Sequence, residues 1–598
     1  MRSFKKMKNK FVKIASVVLS TAIVTSLSAC GGGSGNGVKL DFVYGGTTEY
    51  LIVMRKVLEA YNDGQGKTDK ITVRMQPVSE AGLSTQVDAA LSDPNGADVV
   101  MLNDSFFKPS ARKGLMDLKN LFSEDLLSDM YSTHLQRYYY NINTQTSNPS
   151  DPLLGLPLNN DSTVLYYNKT ALEALNIKCI SVSEDELDEF NNGGKDHNGK
   201  TKKDYGIPDS FKVPAKGFYR ENSYVYGDDY IEYNADELMI FNDRIATSWD
   251  EIEDVGQLSS KFYNTASTTQ YGYFTEWWFN YGWSVGGDCL VDMSGNGDFA
   301  YSHPDGNPNY IVTEGTYTGK YTGTVYQEGE TLDFKDVICD DPSDVVGYET
   351  DDTATGIGTY FYWTVNGERS EVIADVTTAK NAGTLSELPS INYALTRYCE
   401  ISSGNKIMPK ASTVSNSGGT IKYFTNKLLA FCIEYSSNFK QIDRDAKFEW
   451  GIAPLPVYKE YVSADSDELK VAGKQSNHSL GYCVSINANT KLQDQAVTFI
   501  NWLVDEGQKI LAENSFMTSR ISQKDLLVEK FQYGNEYAYI QSLNYSLAGD
   551  WWYMPDRGWI DVWASPLNNS VRNGAMSVEE FLYGYIIETN DRLADYKK

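Results

Sequence analysis

Histidine and cysteine are scarce in this chain, and both residue types are scattered. The 598 residues include 4 histidines and 7 cysteines. The histidines stand alone, with no His-Glu-x-x-His spacing, and no two cysteines form a Cys-x-x-Cys pair. The sequence therefore lacks the usual zinc-ligand patterns and the dithiol motif of redox proteins. We expect neither a metal ion nor another cofactor.

Positive charge is also in short supply. The chain carries 53 basic and 80 acidic residues, for a formal net charge of -27. Such a protein repels nucleic acids and other anionic polymers, and no basic patch in the sequence offsets this. We therefore expect no nucleic-acid partner, and the charge favours a neutral or cationic ligand.

Long apolar runs are missing beyond the first 30 residues. No later segment reaches the roughly 18 consecutive apolar residues that a membrane-spanning helix needs. Hydrophobic residues still make up 41% of the chain and aromatic residues 13%, enough for a large core. The sequence therefore predicts folded domains with a large core rather than a disordered or membrane-embedded chain.

The first residues have the pattern of an export signal. Six lysines and arginines, with no acidic residue, precede the apolar stretch IASVVLSTAIVTSLSA. A basic region, a short apolar region and small residues at the end are typical of a secretory signal peptide, here residues 1–29. Residues 27–30, Leu-Ser-Ala-Cys, resemble the bacterial lipobox, which implies cleavage before Cys30 and lipidation of its thiol.

The glycine-rich residues 30–37 then predict a flexible tether. Because two acyl chains give stable anchoring, a lipoprotein of this kind, carrying diacylglyceryl and palmitate groups on Cys30, would stay at the outer face of the cell membrane. The alternative is an ordinary signal peptide with a chance cysteine. For the other six cysteines, disulfides and buried free thiols remain equally open.

Strands and helices alternate at the start of the body. VKLDFVYGG (38–46), ITVRMQPV (71–78) and ADVVML (97–102) read as strands, with apolar residues at helical spacing between the first two. This β-α-β-α-β order predicts an α/β fold with a parallel sheet.

Six segments carry a resemblance to a known family, in that family's order. They are DVVMLNDSFFKPSARKGLMDL (98–118), LLGLPLNNDSTVLYYNKTALEALNI (153–177), SWDEI (248–252), YGWSVGGD (281–288), WGIAPLPV (450–457) and LNNSVRNGAMSVEEFL (567–582). On these segments the chain resembles the extracellular solute-binding proteins of the maltodextrin type, the receptors of ABC importers. The resemblance implies a two-lobed, periplasmic-binding-protein-like (class II) fold with an inter-lobe cleft and hinge crossovers.

The same resemblance implies a function and a domain plan. The protein would capture a neutral sugar, an oligosaccharide, without catalysis and deliver it to an ABC permease. The expected N-terminal lobe is 38–157, completed by about 486–515, and the second lobe is 158–485. Insertions at about 180–245 and 290–400 depart from the compact family pattern. Residues 516–598 would form a helical segment across both lobes.

Two enzyme signatures match by letter but not by context. GKDHNGKT (194–201) fits the phosphate-binding loop pattern, yet polar segments replace the strand and helix that the loop needs. GWSVG (282–286) fits the nucleophile elbow, yet a glycine turn follows it in place of a helix. We therefore expect no enzyme.

A partial calcium loop begins at Asp292, but its twelfth position is His303 rather than the bidentate glutamate that binds calcium, so a glycine turn is favoured there.

Candidate ligand residues follow the strands. In open α/β sheets, ligands lie at the carboxyl ends of strands. These ends predict a site made of Tyr44, Asn103, Asp104, Ser105, Asn160 and Asp161. By the resemblance, Ser105 aligns with an acidic position that binds sugar hydroxyls, so Asn103 or Asp104 would take that role.

Tryptophans cluster in two places, and a flat ring suits the C–H face of a sugar. The clusters are Trp277 and Trp278, and Trp551, Trp552, Trp559 and Trp563. By the resemblance, the first cluster contacts sugar from the second lobe and Trp559 and Trp563 from the C-terminal segment, with Trp551 and Trp552 as substitutes. Core packing is the alternative role for about half of them.

Two other functions stay open from the sequence. The first is a secreted cell-surface glycosidase, because 80 acidic residues allow many carboxylate pairs. The second is a carbohydrate-binding adhesin that uses the tyrosine-rich insertions. Turnover of a bound sugar separates a glycosidase from a receptor, and a neighbouring permease gene favours the receptor over an adhesin.

Overall fold

A computed structural model describes most of the chain after the tether. The described residues are 37–227, 230–287, 290–292, 299–301, 309–350, 361–403, 406–463, 466–514, 516–528, 535–547 and 558–595. Cys30, Trp551 and Trp552 lie outside them. Within these ranges, none of the helices combines the length and the apolar composition that crossing a membrane requires.

The strands fall into one large sheet and several small ones. They are β1 (Val38–Gly46), β2 (Ile71–Ser79), β3 (Val99–Asn103), β4 (Leu156–Asn168), β5 (Ile177–Ile180), β6 (Phe218–Arg220), β7 (Met239–Asn242), β8 (Leu290–Asp292), β9 (Phe299–Tyr301), β10 (Asn309–Val312), β11 (Thr316–Thr318), β12 (Val325–Gln327), β13 (Val346–Thr350), β14 (Phe361–Val365), β15 (Glu368–Arg369), β16 (Leu385–Leu388), β17 (Phe431–Tyr435), β18 (Trp450–Ala453), β19 (Lys459–Tyr461), β20 (Leu469–Ala472), β21 (Asn477–Ile486) and β22 (Ser546–Leu547).

The helices are mostly short and separate these strands. They are α1 (Thr48–Asp63), α2 (Gln65–Asp69), α3 (Glu80–Ser92), α4 (Phe107–Ala111), α5 (Glu124–Ser128), α6 (Ser132–Leu135), α7 (Lys169–Ala174), α8 (Leu187–Asn191), α9 (Trp249–Leu258), α10 (Phe279–Ser284), α11 (Phe334–Ile338), α12 (Ala374–Asn381), α13 (Ile391–Ser403), α14 (Ala411–Asn416), α15 (Thr420–Thr425), α16 (Phe439–Asp445), α17 (Gln493–Trp502), α18 (Gln508–Glu513), α19 (Lys524–Val528), α20 (Glu536–Asn544), α21 (Gly558–Pro566) and α22 (Val578–Asp595).

The first three strands form the parallel sheet that the sequence predicts. β1 lies between β2 and β3 and is parallel to both. Helix α1 begins where the side chain of Thr47 accepts a hydrogen bond from the backbone N–H of Tyr50, and it buries a stripe from Tyr50 to Tyr61. A threonine N-cap followed by apolar residues three and four apart is why this segment forms a helix on the sheet.

Two long strands join the lobes. The first half of β4 pairs with β21, and β21 continues alongside β3 of the first lobe. The second half of β4 pairs with β17 and β18 of the second lobe. The sheet order β17-β4-β21-β3-β1-β2 therefore runs from one lobe into the other, and the predicted two-lobed α/β fold with hinge crossovers is confirmed.

The two predicted insertions contain small structures with their own buried clusters. β5, β7 and β6 form a sheet in the first, packed on a cluster that includes Ile180 and Phe190. In the second, β10 pairs with β16, and a cluster that includes Trp363 and Val376 lies beneath. We propose that the first lobe comprises residues 38–157 and about 486–515, and that the second lobe comprises residues 158–485.

A buried ion pair lies beside the crossover strands. Arg137 donates to Asp104 at 3.0 Å and to the hydroxyl of Ser479 on β21 at 2.7 Å, and Tyr138 donates to Asp104 at 2.9 Å. Both charged side chains are at most 2% exposed. Burial raises the pKa of Asp104, and the Arg137 charge opposes this rise. The pair fixes the first lobe to the hinge.

Replacing Arg137 by leucine should strongly destabilise the fold, because Asp104 would stay buried without its counter-charge. We expect Arg137→Leu to lower the free energy of unfolding by about 3–5 kcal/mol. Urea denaturation measures this. The control is Arg444→Leu, because the exposed pairs of Arg444 with Asp445 and Glu49 are screened by solvent and should contribute little. Equal losses in the two variants would contradict the structural role of the buried pair.

Candidate functional site

A cavity of about 230 Å³ opens between the two lobes. The first lobe contributes residues at the carboxyl ends of its parallel strands, Thr47, Glu80 and Asn103. The crossover strands contribute Asn159–Asp161 from β4 and Leu480–Tyr482 from β21. The second lobe closes the cavity with Tyr435, the last residue of β17, and with Ser436–Asn438, which follow that strand. The cavity therefore lies where the parallel strands, the hinge and the second lobe meet.

Aromatic rings form its apolar wall. Tyr50 and Tyr482 are stacked, with ring centroids 5.3 Å apart and an interplanar angle of 24°. Phe516 meets the Tyr50 ring edge-on at 5.2 Å. Tyr482 also donates from its hydroxyl to Glu80 at 3.4 Å. Tyr50 is 2% exposed, so the half-buried ring of Tyr482, held against it, is the one that offers apolar surface beside the Glu80 carboxylate. A flat apolar face beside an acceptor suits a polyhydroxylated ring.

Asp161 bridges the hinge to the second lobe. Its carboxylate accepts from the hydroxyl of Ser436 at 2.9 Å and from the backbone N–H of Ser437 at 2.8 Å. Desolvation raises the pKa of Asp161 to about 6, although both serine bonds oppose the rise. Near neutral pH this carboxylate is mostly ionised and can accept further hydrogen bonds.

Amide side chains supply the other polar groups. Asn103 accepts from the backbone N–H and the hydroxyl of Ser105, at 3.1 and 2.7 Å. Asn159 accepts from the backbone N–H of Tyr482 at 2.9 Å, and Asn160 lies 3.2 Å from a ring nitrogen of His134. Amides fixed in this way can present donors and acceptors to hydroxyl groups.

Some of the predicted residues meet at this cavity and others do not. Asn103, Asn160 and Asp161 line it, and Ser105 is hydrogen-bonded to Asn103. Tyr44 is 1% exposed and belongs to the core of the first lobe. Asp104 is buried in its pair with Arg137, because an isolated carboxylate would not tolerate that environment.

The tryptophans divide in the same way. Trp277 is half-buried and meets the ring of Tyr435, a cavity residue, at 5.2 Å. Trp278, Trp559 and Trp563 are 3%, 0% and 3% exposed and share one hydrophobic cluster. The Trp278 and Trp563 rings are 6.1 Å apart and nearly perpendicular. The structure therefore packs these three in a core rather than along the cavity.

The sequence pattern does not predict the aromatic wall. Four rings line the cavity and are absent from the predicted ligand residues: Tyr50, Tyr482, Phe516 and Tyr435. Tyr50 offered a signal, because it lies one helical turn after the glycine turn that ends β1. The other three come from distant parts of the chain, so only pairing in the fold brings them together.

The enzyme signatures gain no structural support. Ser284, the would-be nucleophile, is 1% exposed, and its hydroxyl oxygen accepts from the backbone N–H of Tyr458 at 2.8 Å. Residues 194–201 form turns between α8 and a 3₁₀ segment, Lys202–Tyr205, rather than a strand-to-helix loop. Neither segment has the surroundings that its chemistry needs.

The described part of the chain holds neither a cluster of metal ligands nor a disulfide. No group of histidine, cysteine, aspartate and glutamate side chains there could hold a metal ion. Residues 293–298 of the partial calcium loop lie outside the described ranges. The described cysteines are buried free thiols: Cys179, Cys339, Cys399, Cys432 and Cys483.

Replacing Trp559 by alanine should destabilise the protein by about 3–5 kcal/mol, the cost of a large core cavity. The half-buried Trp277 serves as the matched comparison, and Trp277→Ala should lower the free energy of unfolding by clearly less. Chemical denaturation of both variants measures the difference. If the Trp559→Ala and Trp277→Ala variants had the same free energy of unfolding, the assignment of Trp559 to the core would be contradicted.

Comparison with known proteins gives one family match. Residues 44–212 match the family described as bacterial extracellular solute-binding protein. Among curated proteins, none matches the chain by sequence.

Solved structures match over nearly the whole chain. An ABC substrate-binding protein from Listeria monocytogenes, in complex with cycloalternan, has a TM-score of 0.52 at 12% identity. The cyclic alpha-maltosyl-1,6-maltose binding protein from Arthrobacter globiformis has a TM-score of 0.55 at 14% identity. The GacH receptor of Streptomyces glaucescens, solved unliganded and with acarbose, has a TM-score of 0.52 at 12% identity. Each match covers 94% of this chain and 100% of the other.

The resemblance expected from the sequence is therefore confirmed: this chain carries the sequence signature of the bacterial extracellular solute-binding proteins over residues 44–212 and has their two-lobed fold over the length compared.

Proposed function

We propose that the protein captures a sugar outside the cell and delivers it, unchanged, to an ABC permease. The observation that carries this proposal is the inter-lobe cavity, where the stacked pair Tyr50 and Tyr482 lies beside Asn103 and Asp161. Rings contact the C–H faces of a pyranose, while amides and carboxylates bind its hydroxyls. Closure of the lobes about β4 and β21 would enclose the ligand.

The matched structures supply the first probes. The sugars named with them are cycloalternan, cyclic alpha-maltosyl-1,6-maltose and acarbose. We therefore propose an oligosaccharide as the ligand class, and maltose and maltotriose are the sugars to titrate first. The amide-rich lining and the acidic chain both favour a neutral ligand over an anionic one.

A glycosidase is the main alternative. It requires two carboxyl groups across the bond to be cleaved, about 5–9.5 Å apart. Asp161 and Glu80 line the cavity, but Asp161 already accepts two hydrogen bonds from Ser436 and Ser437. A receptor leaves the sugar intact, so incubation with maltotriose followed by chromatography distinguishes the two. Appearance of glucose or maltose would favour the glycosidase.

Removing the ring of Tyr482 should weaken sugar binding. A ring stacked on a pyranose buries on the order of 100 Å² of apolar area, worth about 2–3 kcal/mol. Tyr482→Ala should therefore raise the Kd by roughly thirty- to hundredfold in calorimetric titration with maltotriose. Tyr482→Phe keeps the ring and should stay within a few-fold of the wild type.

A second control is Phe262→Ala, which removes an exposed ring outside this cavity and should leave affinity unchanged. If Tyr482→Ala binds as tightly as the wild type while both proteins melt at the same temperature, the cavity is not the sugar site.

We also propose that Cys30 carries the lipid anchor that holds the protein at the outer face of the membrane. The lipobox-like residues 27–30 and the glycine tether after them support this. Cys30→Ala should release the protein from the membrane fraction or leave an uncleaved precursor, as seen by fractionation and mass spectrometry. A cleaved Cys30→Ala protein that remains fully membrane-bound would contradict the anchor.

A further inference from the structure

A second cavity, of about 360 Å³, lies on the second lobe. Its walls come from residues 216–226, the start of α9, α13 and the strand β19. It shares no lining residue with the inter-lobe cavity among the described residues. Its volume falls within the range of about 300–1,000 Å³ that is usual for small-molecule sites.

Both insertions build this cavity. Residues from Lys216 to Tyr226, in the first insertion, form one side, and Tyr393 and Arg397, at the end of the second, form another. The remaining wall is Ser248–Glu251 and Tyr458–Ser463. A chain without the two insertions would lack most of the enclosure.

Aromatic rings dominate the lining. Trp249, which is 2% exposed, is one of the lining residues, and the rings of Tyr458 and Tyr393 lie 5.3 Å and 6.5 Å from its ring. Tyr226 meets Tyr393 at 6.1 Å with an interplanar angle of 87°. The half-buried Tyr458 and Tyr226 thus offer ring surface that is held in place by neighbouring rings.

Arg397 is held rigidly in the wall. It donates to Asp250 at 2.8 Å and to Glu253 at 2.9 Å, and its guanidinium lies 3.8 Å from the ring centroid of Tyr226. Two carboxylates therefore hold in place a guanidinium whose side chain is 3% exposed. Buried charges fixed in this way form a preorganised surface rather than a binding site for a counter-ion.

The other charged groups of the wall are also engaged. Tyr461 donates to Glu251 at 2.7 Å, and Lys459 donates to the backbone carbonyl of Ala246 at 2.6 Å. Lys216 pairs with Asp467 at 2.8 Å and lies 4.6 Å from the centroid of the Tyr461 ring. Two further lining residues are paired as well: Arg220 with Asp254 at 3.2 Å and Glu460 with Lys470 at 2.5 Å. The cavity is therefore rich in hydrogen-bonding groups, and its charged side chains already have protein partners.

Hydrogen-bonding capacity remains unused at this wall. The indole N–H of Trp249 and the Nε–H of Arg397 are buried and have no hydrogen-bond partner among the described protein atoms. Most buried donors in folded proteins have a partner, so two unpaired donors in residues that line one cavity are unusual.

We propose that this cavity is a second carbohydrate-binding site, which takes a neutral hexopyranose unit independently of the inter-lobe cavity. Rings provide the surface for the C–H face of the sugar, and compensated charges provide donors and acceptors for its hydroxyls without favouring an ion. The site gives the two insertions a function: a glycan held there would keep the receptor close to its polymer source while the cleft binds a released fragment.

The test starts from the Tyr482→Ala chain, in which the inter-lobe site is disabled. Calorimetry is run with methyl α-D-glucopyranoside, maltose and cellobiose as probes. We expect at least one probe to bind this chain with a stoichiometry near one. Adding Tyr458→Ala should weaken that binding at least tenfold, whereas adding Tyr458→Phe, which keeps the ring, should change it less than threefold.

Tyr226→Ala, in the same Tyr482→Ala chain, provides a second variant in case Tyr458→Ala fails to fold, and melting temperatures check every protein. The proposal is overturned if no probe binds the Tyr482→Ala chain, or if the binding is unchanged in the folded ring-deletion variants. A different result would contradict the proposed function of the inter-lobe cavity: an equal Kd for maltotriose in the wild type and in Tyr482→Ala.

Discussion

The hydrogen-bonded pairing of β4 with β21 is the constraint on which the rest of the structure depends. β21 continues into the sheet of the first lobe through its pairing with β3, and β4 continues into the second lobe through its pairing with β17 and β18. The backbone hydrogen bonds therefore run without a break from the sheet of one lobe into the other. The lobes are joined at the point where β4 stops pairing with β21 and begins to pair with β17 and β18. The cavity lies at that point and takes Asn159–Asp161 from one strand and Leu480–Tyr482 from the other.

Next to this frame, polar groups serve two different purposes. Asp104 and Arg137 are almost fully buried and satisfy each other, so they fix the geometry of the hinge and are not available to a ligand. Asn103 and Asp161 are fixed by short hydrogen bonds but still line the cavity. Adjacent positions in the sequence, 103 and 104, thus have opposite roles, because successive side chains leave a strand end in different directions.

The tryptophans show a similar division between stability and recognition. Three of the four in the described part of the two predicted clusters fill a core, where their area contributes to folding. The apolar wall of the cavity is instead built from tyrosines and a phenylalanine, among them Tyr50 and Tyr482. Tyrosine combines a flat apolar face with a hydroxyl that can hydrogen-bond. It therefore suits a site that must contact the C–H face of a sugar and also bind its hydroxyl groups.

The sequence by itself determined the α/β class, the parallel direction of β1, β2 and β3, and the resemblance to solute-binding proteins, because these depend on local periodicity and on short segments in order. It also predicted Asn103, Asn160 and Asp161 as ligand residues, and the structure places these three on the wall of the inter-lobe cavity. Only the tertiary structure decided that Tyr44 is core, that Asp104 pairs with Arg137, and that Tyr482 stacks on Tyr50 from 432 positions away. Side-chain environment depends on which distant segments pack together, and a single sequence pattern does not contain that information.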